Sequence, residues 1–374
     1  MEFLRIERLM KQVSRFRLVL VTAAVVLAVF VVGFSRSSKS VDQESGDRNL
    51  KKKDGTKAKL RLAKDSDNRV ISAEIERADD VGAELAGLQS HKSIREIFLI
   101  HCRKIGPSDV AALGKFDDLI TIEFINCRID EDAARELSKN ERIANLAFVA
   151  TPVTATTLSC LKTCTNLRHL SLRVGGFADD ALIGLRSLKQ LHSLQIEQQD
   201  FDVSRLSVLE HLPQLRLLQL LDTQPSAKDL RSLPMLPDIR EFKFIAHSVN
   251  DADLVYLKQL PKLEILDLSS SKVTSDGIRN LDFLKGLKTL RIEGCKQVTD
   301  EAVDHLLRCN SLQELSITDT RISTGGFLRL AQLKNLRKLT VHSGVANEKE
   351  VRAFNEALPD CEIIRIKPPP RIGG

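Results

Sequence analysis

The feature that most constrains this chain is an apolar pattern that recurs every 24 or 25 residues over most of its length. Each copy reads L-x-x-L-x-L, and Ile, Val, Phe, Ala or Cys also occupies the apolar positions. Twelve consecutive intervals of this length are not a product of composition, so the pattern predicts a stack of repeated structural units. The thirteen copies begin at Val70, Ile94, Leu119, Ile143, Leu167, Leu191, Leu215, Ile239, Leu263, Leu287, Leu312, Leu336 and Cys361.

Each copy predicts a short strand with one buried face. In the copy that begins at Leu263, that residue, Leu266 and Leu268 point to one side, whereas Ile265 and Asp267 point to the other. This alternation is typical of a strand, because successive side chains of extended backbone face opposite sides of a sheet. We therefore expect twelve or thirteen parallel strands, one from each repeat.

The second half of each repeat has the spacing of a helix. Val303, Leu306 and Leu307 lie three and four positions apart, as on one stripe of a helix. Thr299 or Asp300 precedes this stripe and is placed to cap the free N–H groups at the helix start. Residues at the same place in earlier repeats have the same polar character, namely Ser275, Asp276, Asn250 and Asp251.

A strand and a helix within 24 residues bury both apolar faces only by stacking on neighbouring repeats. Helices are about 10 Å wide and neighbouring strands are about 4.8 Å apart, so such a stack curves with its strands on the inside. The pattern predicts an α/β solenoid, a horseshoe with a concave parallel sheet and convex helices. It covers residues 68–366 and leaves a tail at 367–374.

This pattern resembles the leucine-rich-repeat family over about four fifths of the chain. Residues 287–315, which read LKTLRIEGCKQVTDEAVDHLLRCNSLQEL, are most similar to the cysteine-containing subfamily known from F-box substrate adaptors. Cys295 stands there at the turn position where other subfamilies place Asn, and Cys102 and Cys127 stand at the same position of their repeats. No F-box-like segment precedes the repeats, so the adaptor function is not implied.

The N-terminal region contains an apolar run at residues 18–34, with 17 residues and no charge. Such a helix is about 25 Å long, near the lower limit for a membrane span. We interpret the run as a transmembrane signal anchor. The alternative is a cleaved signal peptide, because Gly33 and Ser35 have the small size and spacing of a cleavage site.

The flanks of this run predict its orientation. Residues 1–17 carry five Lys or Arg side chains, whereas the residues after it mix basic with acidic side chains. By the positive-inside rule, we expect a single-pass membrane protein with a cytoplasmic N-terminus and extracytoplasmic repeats. Residues 35–67 are polar and predict a flexible linker. Their lysines either remain solvated or contact anionic lipid headgroups.

Charge and motifs argue against several other functions. The formal charge of +6 comes from residues 1–67, which carry +7 and leave −1 for the rest, so we expect no nucleic-acid partner. No HExxH, GxSxG, P-loop or dinucleotide motif is present, so we expect neither an enzyme nor a cofactor, metal or small-molecule substrate. The seven cysteines lack CxxC spacing, and most fall at interior positions, where a thiol acts as a small apolar group.

Binding residues are therefore sought on the concave side of the strands. Two groups of outward positions combine apolar with charged side chains, and exposed apolar rows of this kind typically contact a partner or a covering segment. The N-terminal cap or linker is an alternative cover for the first group. The first group contains Glu96, Phe98, Ile100, Ile125 and Val149, and the second contains Leu217, Leu221, Lys243, Ile245 and Ile265.

Two functions fit these observations. The favoured one is a membrane-anchored module that recognises a protein or peptide through its concave face. The alternative is a structural or envelope scaffold without a discrete ligand. A scaffold should carry its apolar excess on the convex helices or at the ends of the stack, whereas recognition should place it on the concave strands.

Overall fold

The computed structural model describes residues 48–50, 58–173, 181–197, 203–221, 233–245, 247 and 249–367. Within these ranges the strands form a fifteen-stranded sheet in which they lie side by side in sequence order. The strands are β1 Arg48–Leu50, β2 Ala58–Lys64, β3 Val70–Glu76, β4 Glu96–Ile100, β5 Thr121–Ile125, β6 Asn145–Val149, β7 His169–Arg173, β8 Ser193–Glu197, β9 Leu217–Leu221, β10 Glu241–Ile245, β11 Ile265–Asp267, β12 Thr289–Arg291, β13 Glu314–Ser316, β14 Lys338–His342 and β15 Glu362–Ile366.

Short helices connect successive strands. The α-helices are α1 Val81–Leu88, α2 Pro107–Leu113, α3 Glu131–Leu137, α4 Ala155–Cys160, α5 Ser275–Arg279, α6 Glu301–Leu306, α7 Thr324–Arg329 and α8 Glu348–Ala357. Other connections use the tighter 3₁₀ geometry, in two short pieces and in three longer runs of a kind that is uncommon for this helix. These 3₁₀ helices are Leu161–Thr163, Ala181–Ser187, Val203–His211, Leu254–Gln259 and Leu330–Gln332.

Strands β3 to β15 are parallel, so the expectation of one parallel strand from each of thirteen repeats is confirmed. The strands pair through equivalent positions of successive repeats, as Leu266 does with Leu290. Neither of these side chains is exposed to solvent, whereas Ile265 on the opposite side is only half-buried. The predicted period-two burial is thus present.

The inward side chains of the strands share one continuous hydrophobic core with the helices. Leucine fills most positions, and aromatic pairs interrupt the aliphatic stack, as where the Phe124 and Phe148 rings stack 5.5 Å apart. Burying a leucine side chain contributes about 1.5–3 kcal/mol, so the repeated core is the main source of stability. The side chains on the opposite side of the sheet, such as Phe98 and Ile125, do not belong to this core; we call that side the open face.

The N-terminal boundary differs from the prediction. Residues 35–67 were expected to be a flexible linker, yet β2 forms a regular strand that pairs antiparallel with β3. Leu60 and Leu62 pack against the core. A first repeat with nothing beside it would leave a sheet edge and apolar surface exposed, and β2 covers both. The ordered domain therefore includes residues 58–67.

The last strand also departs from the expected register. A pattern starting at Cys361 places Ile364 and Ile366 inward, but Ile363 pairs with the buried Leu339 instead. Cys361 itself remains buried, so the backbone is one residue shorter between that position and the strand. No described repeat follows β15, so packing on its far side does not constrain the register.

Several helices are capped locally, as α3 is by Asp130, but two of the predicted capping residues contact the next repeat instead. Asp300 stands at the N-cap of α6, but its side chain makes no capping hydrogen bond there. Its carboxylate accepts hydrogen bonds from the backbone N–H and hydroxyl of Ser323, at 2.7 and 2.5 Å, just before α7. Asp251 contacts the backbone N–H and hydroxyl of Thr274 in the same way, at 2.8 and 2.6 Å. Asp251 and Asp300 thus connect one repeat to the next, whereas Asn250 accepts a hydrogen bond from the Ala252 N–H of its own repeat.

The cysteines at the turn position form part of a ladder of buried polar contacts. The Cys127 Sγ lies 3.2 Å from the Leu99 carbonyl oxygen of the preceding repeat, and Cys295 Sγ lies 3.3 Å from that of Leu268. Thr151, at the same position, donates its hydroxyl to a carbonyl of the preceding repeat at 3.0 Å. Six of the seven cysteines are buried and all are free, which agrees with the expected interior placement.

None of the helices within the described ranges is both long and apolar enough to cross a bilayer. The predicted transmembrane segment at residues 18–34 lies outside those ranges, as do residues 1–17 and 35–47. The anchor and its orientation therefore stay predictions.

Candidate functional site

The open face is built from three rows of side chains. Parallel strands in register place equivalent residues of neighbouring repeats about 4.8 Å apart, so the second, fourth and sixth residues after each repeat start form rows across the sheet. The predicted site residues occupy these rows. Their burial depends on what stands beside them on the adjacent strands.

The first predicted group forms a contiguous surface. Ile100 pairs with Ile125, and Ile125 pairs with Val149, so the three side chains lie side by side on β4, β5 and β6. Val149 and the nearby Ala147 are 9% and 8% exposed, whereas Phe98 and the two isoleucines are half-buried. We call these five residues the N-terminal patch. The structure brings them together, and their role in binding stays a prediction.

A carboxylate lies within the N-terminal patch. Glu123 stands between Phe98 on β4 and Ala147 on β6, and only 5% of its surface is exposed. Its neighbours in sequence, Ile122 and Phe124, point into the core, so the Glu123 side chain belongs to the open face. This residue was not among the predicted site residues. The sequence signal that could have identified it is an acidic residue between Phe98 and Ala147, the apolar residues at the same position of the neighbouring repeats.

Burial changes the acidity of this carboxylate. Burial raises the pKa of Glu123, the positive charge of Arg173 opposes this rise, and the nearby negative charge of Glu96 adds to it. The net result is a pKa of about 7 instead of 4.5. Burial also raises the pKa of Glu96, one of the predicted site residues. Both carboxyl groups therefore keep their protons to higher pH than exposed glutamates do.

Ion pairs border the patch on both sides. Toward β8, the Arg173 Nε lies 2.7 Å from the Glu197 Oε2, and these side chains are 11% and 21% exposed. Toward the N-terminus, Arg61 of β2 pairs with Glu74 and lies 3.8 Å from the Glu76 carboxylate. The charges at the borders are paired with one another, so the patch is an apolar surface between two polar margins.

The second predicted group is less continuous. Leu217 and Ile265 occupy one row but are separated by Glu241, and all three side chains are half-buried. Lys243 occupies the next row, 4.0 Å from the Asp267 carboxylate. Burial raises the pKa of Glu241. Polar residues therefore separate the apolar side chains of this group, which do not form a continuous apolar surface.

The remaining residues of the second group lie on the third row. Leu221 is half-buried and pairs through its backbone with Ile245, at the ends of β9 and β10. The side chain of Ile245 lies outside the described part of the structure. Farther along the same face, a shallow depression is lined by charged residues that include Arg291, Glu314 and Lys338.

The described residues offer little for catalysis or metal binding. In the ranges that the structure describes, no three His, Cys, Asp or Glu side chains form a group that could hold a metal ion. Burial raises the pKa of Cys164 to about 12 and those of Cys309 and Cys361 to about 11. These thiols remain protonated at neutral pH and are poor nucleophiles.

The chain is similar to one family model and to solved structures of known proteins. A family model described as Leucine Rich repeat matches residues 259–281. An internalin structure from Listeria monocytogenes is 18% identical, with a TM-score of 0.46, and the match covers 75% of this chain and 76% of that one. A chain in the structure of a TLR13–ssRNA13 complex is 17% identical, with a TM-score of 0.47. That match covers 71% of this chain and 38% of that one. The matched residues contain β11 and α5. A strand followed by a short helix recurs along the described chain, which is an α/β repeat with one long, mostly parallel sheet.

Proposed function

We propose that this chain is a recognition module that binds a protein or peptide across its open face. The observation that carries the proposal is the N-terminal patch, in which five apolar side chains, three of them half-buried, lie together on three adjacent strands of the open face. Contiguous apolar surface on a repeat protein is typical of an interface. Binding of this kind needs no catalytic residue, cofactor, metal or nucleic acid.

We further propose that residues 18–34 anchor the module in a membrane, with residues 1–17 in the cytoplasm and the repeats on the other side. The support is the uncharged run and the basic residues before it. Alkaline extraction of membranes tests the anchor, because an integral protein stays in the pellet. A soluble protein whose N-terminus follows Gly33 or Ser35 would instead identify a cleaved signal peptide.

The scaffold alternative has one observation in its favour. Four of the large apolar side chains that are most exposed lie outside the open-face strands: Ile183, Met235, Val255 and Leu328, which are 37–60% exposed. They stand singly on separate elements, and isolated exposed apolar residues are normal on soluble proteins. Recognition is therefore the better supported function. Self-association that persists after glutamates are introduced on the open face would favour the scaffold function.

The experiment uses a pair of substitutions on the patch. Ile100→Glu with Ile125→Glu places two charges on adjacent strands of the open face and leaves the buried positions unchanged. The matched control is Leu221→Glu with Ile265→Glu, which adds the same charges to the second group. Proteins retained by the immobilised wild-type chain are identified by mass spectrometry and then titrated against both variants.

We expect the patch variant to lose at least tenfold in affinity for a retained partner, while the control variant binds as the wild type does. Circular dichroism must show the same fold for all three proteins. Loss only in the control would move the site to the second group. Full binding by both variants would remove the site from the open face and contradict the proposal.

A further inference from the structure

Glu123 is the least explained side chain of the open face. It is 5% exposed, and among the described residues Arg173 and Glu96 act on its carboxylate through charge and not through a hydrogen bond. Its oxygens are not among the enclosed polar atoms without a partner, so they still reach solvent at the open face. A buried carboxylate without a partner is costly, so proteins normally pair such a group or replace it by an apolar one. A carboxylate that remains unpaired on a candidate binding surface points to a partner supplied from outside the fold.

The surrounding strands do not neutralise Glu123. On β4 the nearest charged neighbour is Glu96, which has the same sign. The described part of β6 places Ala147 beside Glu123, and the nearby Asn145 uses its Nδ2 to donate to the Thr121 hydroxyl at 2.9 Å. Arg173 on β7 supplies the opposing positive charge, but it is already paired with a glutamate of β8.

The shape of the surrounding surface restricts what fits there. Phe98 and the paired Ile100, Ile125 and Val149 form an apolar border along two sides of the carboxylate. Lysine and arginine combine an apolar stem with a cationic end. Their stems can pack on the apolar border while the cationic end reaches the carboxylate. A neutral apolar side chain would bury the charge without pairing it, and an acidic side chain would be repelled.

We propose that Glu123, assisted by Glu96, receives a lysine or arginine side chain of a bound peptide, whose stem packs on the N-terminal patch. This assignment rests on the proposed recognition function and names the chemistry of the partner. The two carboxylates provide the negative charge, and the apolar residues exclude water, which strengthens the ion pair. The flanking residues of such a peptide are apolar, because they lie over the isoleucine row.

Proton linkage follows from this pairing. Burial raises the pKa of Glu123 to about 7, and a cationic side chain binds the ionised form. Glu96 on β4 and Arg173 on β7 are the other charged groups that act on this carboxylate. Binding should therefore strengthen as the pH rises, by up to about tenfold per unit below 7, and level off above it.

Synthetic peptides test the assignment on the full-length chain. The probes are acetyl-Leu-Thr-Leu-Xaa-Leu-Thr-Leu-amide with Lys, Arg, norleucine or Glu at Xaa, titrated at pH 6 and pH 8. The variant Glu123→Gln removes the charge and retains the size of the side chain. Glu241→Gln is the matched control, because Glu241 is a half-buried carboxylate of the same face outside the patch.

We expect the Lys and Arg peptides to bind at least tenfold more tightly than the norleucine and Glu peptides at pH 8. That preference and its pH dependence should disappear in Glu123→Gln and persist in Glu241→Gln. As a second measurement, a carboxyl-selective NMR titration of the wild type should show the pKa of Glu123 falling when the Lys peptide is added. This measurement does not depend on the stability of a variant.

Other outcomes would overturn the assignment. Equal binding of Lys and norleucine peptides, lost in the Ile100→Glu and Ile125→Glu variant, would refute the cation site and leave the recognition function intact. Binding only after Lys51, Lys52 and Lys53 are changed to Gln would assign the site to the chain's own basic segment. Failure of every peptide to bind, with no protein retained by the immobilised chain, would reject both proposals.

Discussion

The Asp300 carboxylate occupies the space that a side chain at position 326 would need, so Asp300 and Gly326 are matched across two repeats. A Cβ built on Gly326 overlaps the carboxylate, which is held by the backbone N–H and hydroxyl of Ser323. Asp251 and Gly277 repeat this arrangement two repeats earlier, where Thr274 holds the carboxylate. The contact fixes the distance between the helix of one repeat and the loop of the next.

Gly326→Ala should therefore destabilise the protein by about 1–3 kcal/mol, because either the Asp300 carboxylate or the helix backbone must move. Gly325→Ala is the matched control. A Cβ there meets only the Ser323 hydroxyl oxygen at 3.5 Å, and alanine favours a helix over glycine, so this variant should be neutral or stabilising. Thermal and denaturant unfolding of the two variants provides the measurement.

A double-mutant cycle separates crowding from helix propensity. Asp300→Ala alone loses the contacts to Ser323 and should cost about 1 kcal/mol. Combined with Gly326→Ala, it removes the overlap with the carboxylate and leaves the close approach of the new Cβ to the Ile322 Cγ2, at 2.9 Å. The double variant should therefore be more stable than the sum of the single effects predicts. Additive effects would show that the carboxylate does not set the requirement for glycine.

Neighbouring residues of β11 should respond very differently to substitution. Leu266 is fully buried, and Leu266→Asp places an unpaired charge in the core at a cost of about 3–5 kcal/mol. Asp267 lies on the open face, but it is 6% exposed and accepts hydrogen bonds from the Ser269 backbone N–H and hydroxyl at 3.1 and 2.6 Å.

Asp267→Leu should accordingly cost about 1–2 kcal/mol rather than nothing, because it removes those hydrogen bonds. Asp267→Asn, which retains an acceptor oxygen at the same place, should cost less. The free energies of unfolding of the three variants test the register. Equal destabilisation by Leu266→Asp and Asp267→Leu would contradict the assignment of the buried face.

The N-terminal strand predicts where the domain can be truncated. A fragment that starts at Ala58 keeps β2, whereas one that starts at Asn68 loses Leu60, Leu62 and the pairing partner of β3. The shorter fragment should be less stable by about 2–4 kcal/mol and should self-associate through the uncovered edge. Unfolding curves and light scattering compare the two, and identical behaviour would show that β2 is dispensable.

The repeat period was sufficient to predict the number, order and direction of the strands of the repeats. It depends on buried positions such as Ile97 and Leu290, where an apolar side chain is required whatever surrounds it. The sequence pattern did not predict the strand β2, because its sequence AKLRLAK places only two leucines among basic residues and alanines. β2 forms a regular strand because it pairs with the free edge of β3, and a local sequence pattern does not predict that pairing.

Contacts between repeats also could not be predicted from the sequence of a single repeat. Asp300 has the local position of a helix cap, yet its partner lies 23 residues ahead. Turn positions that require a left-handed backbone are also filled by ordinary side chains, such as Ala150 with φ 47°, rather than by glycine. The burial of Glu123 arises from the side chains on adjacent strands, so the sequence of β5 alone predicts only that it faces outward.

An unpaired buried carboxylate should also make stability depend on pH. In the unfolded chain Glu123 ionises near its usual pKa of 4.5, whereas in the folded chain it ionises near 7. Between these values the folded state binds more protons than the unfolded state, so the free energy of unfolding falls as the pH rises. The shift corresponds to up to about 3 kcal/mol, present as a penalty above pH 7 and absent below pH 4.

Glu123→Gln removes this penalty, because the amide has the size of the carboxyl group and carries no charge to bury. The variant should equal the wild type at pH 4 and exceed its free energy of unfolding by up to about 3 kcal/mol at pH 8. Glu362→Gln, at an exposed carboxylate of β15, serves as the control and should change little at either pH. Denaturant unfolding at a series of pH values provides the measurement. A Glu123→Gln variant that is less stable than the wild type at pH 8 would show that the carboxylate already has a partner within the chain, and would also remove the reason to expect one from a bound peptide.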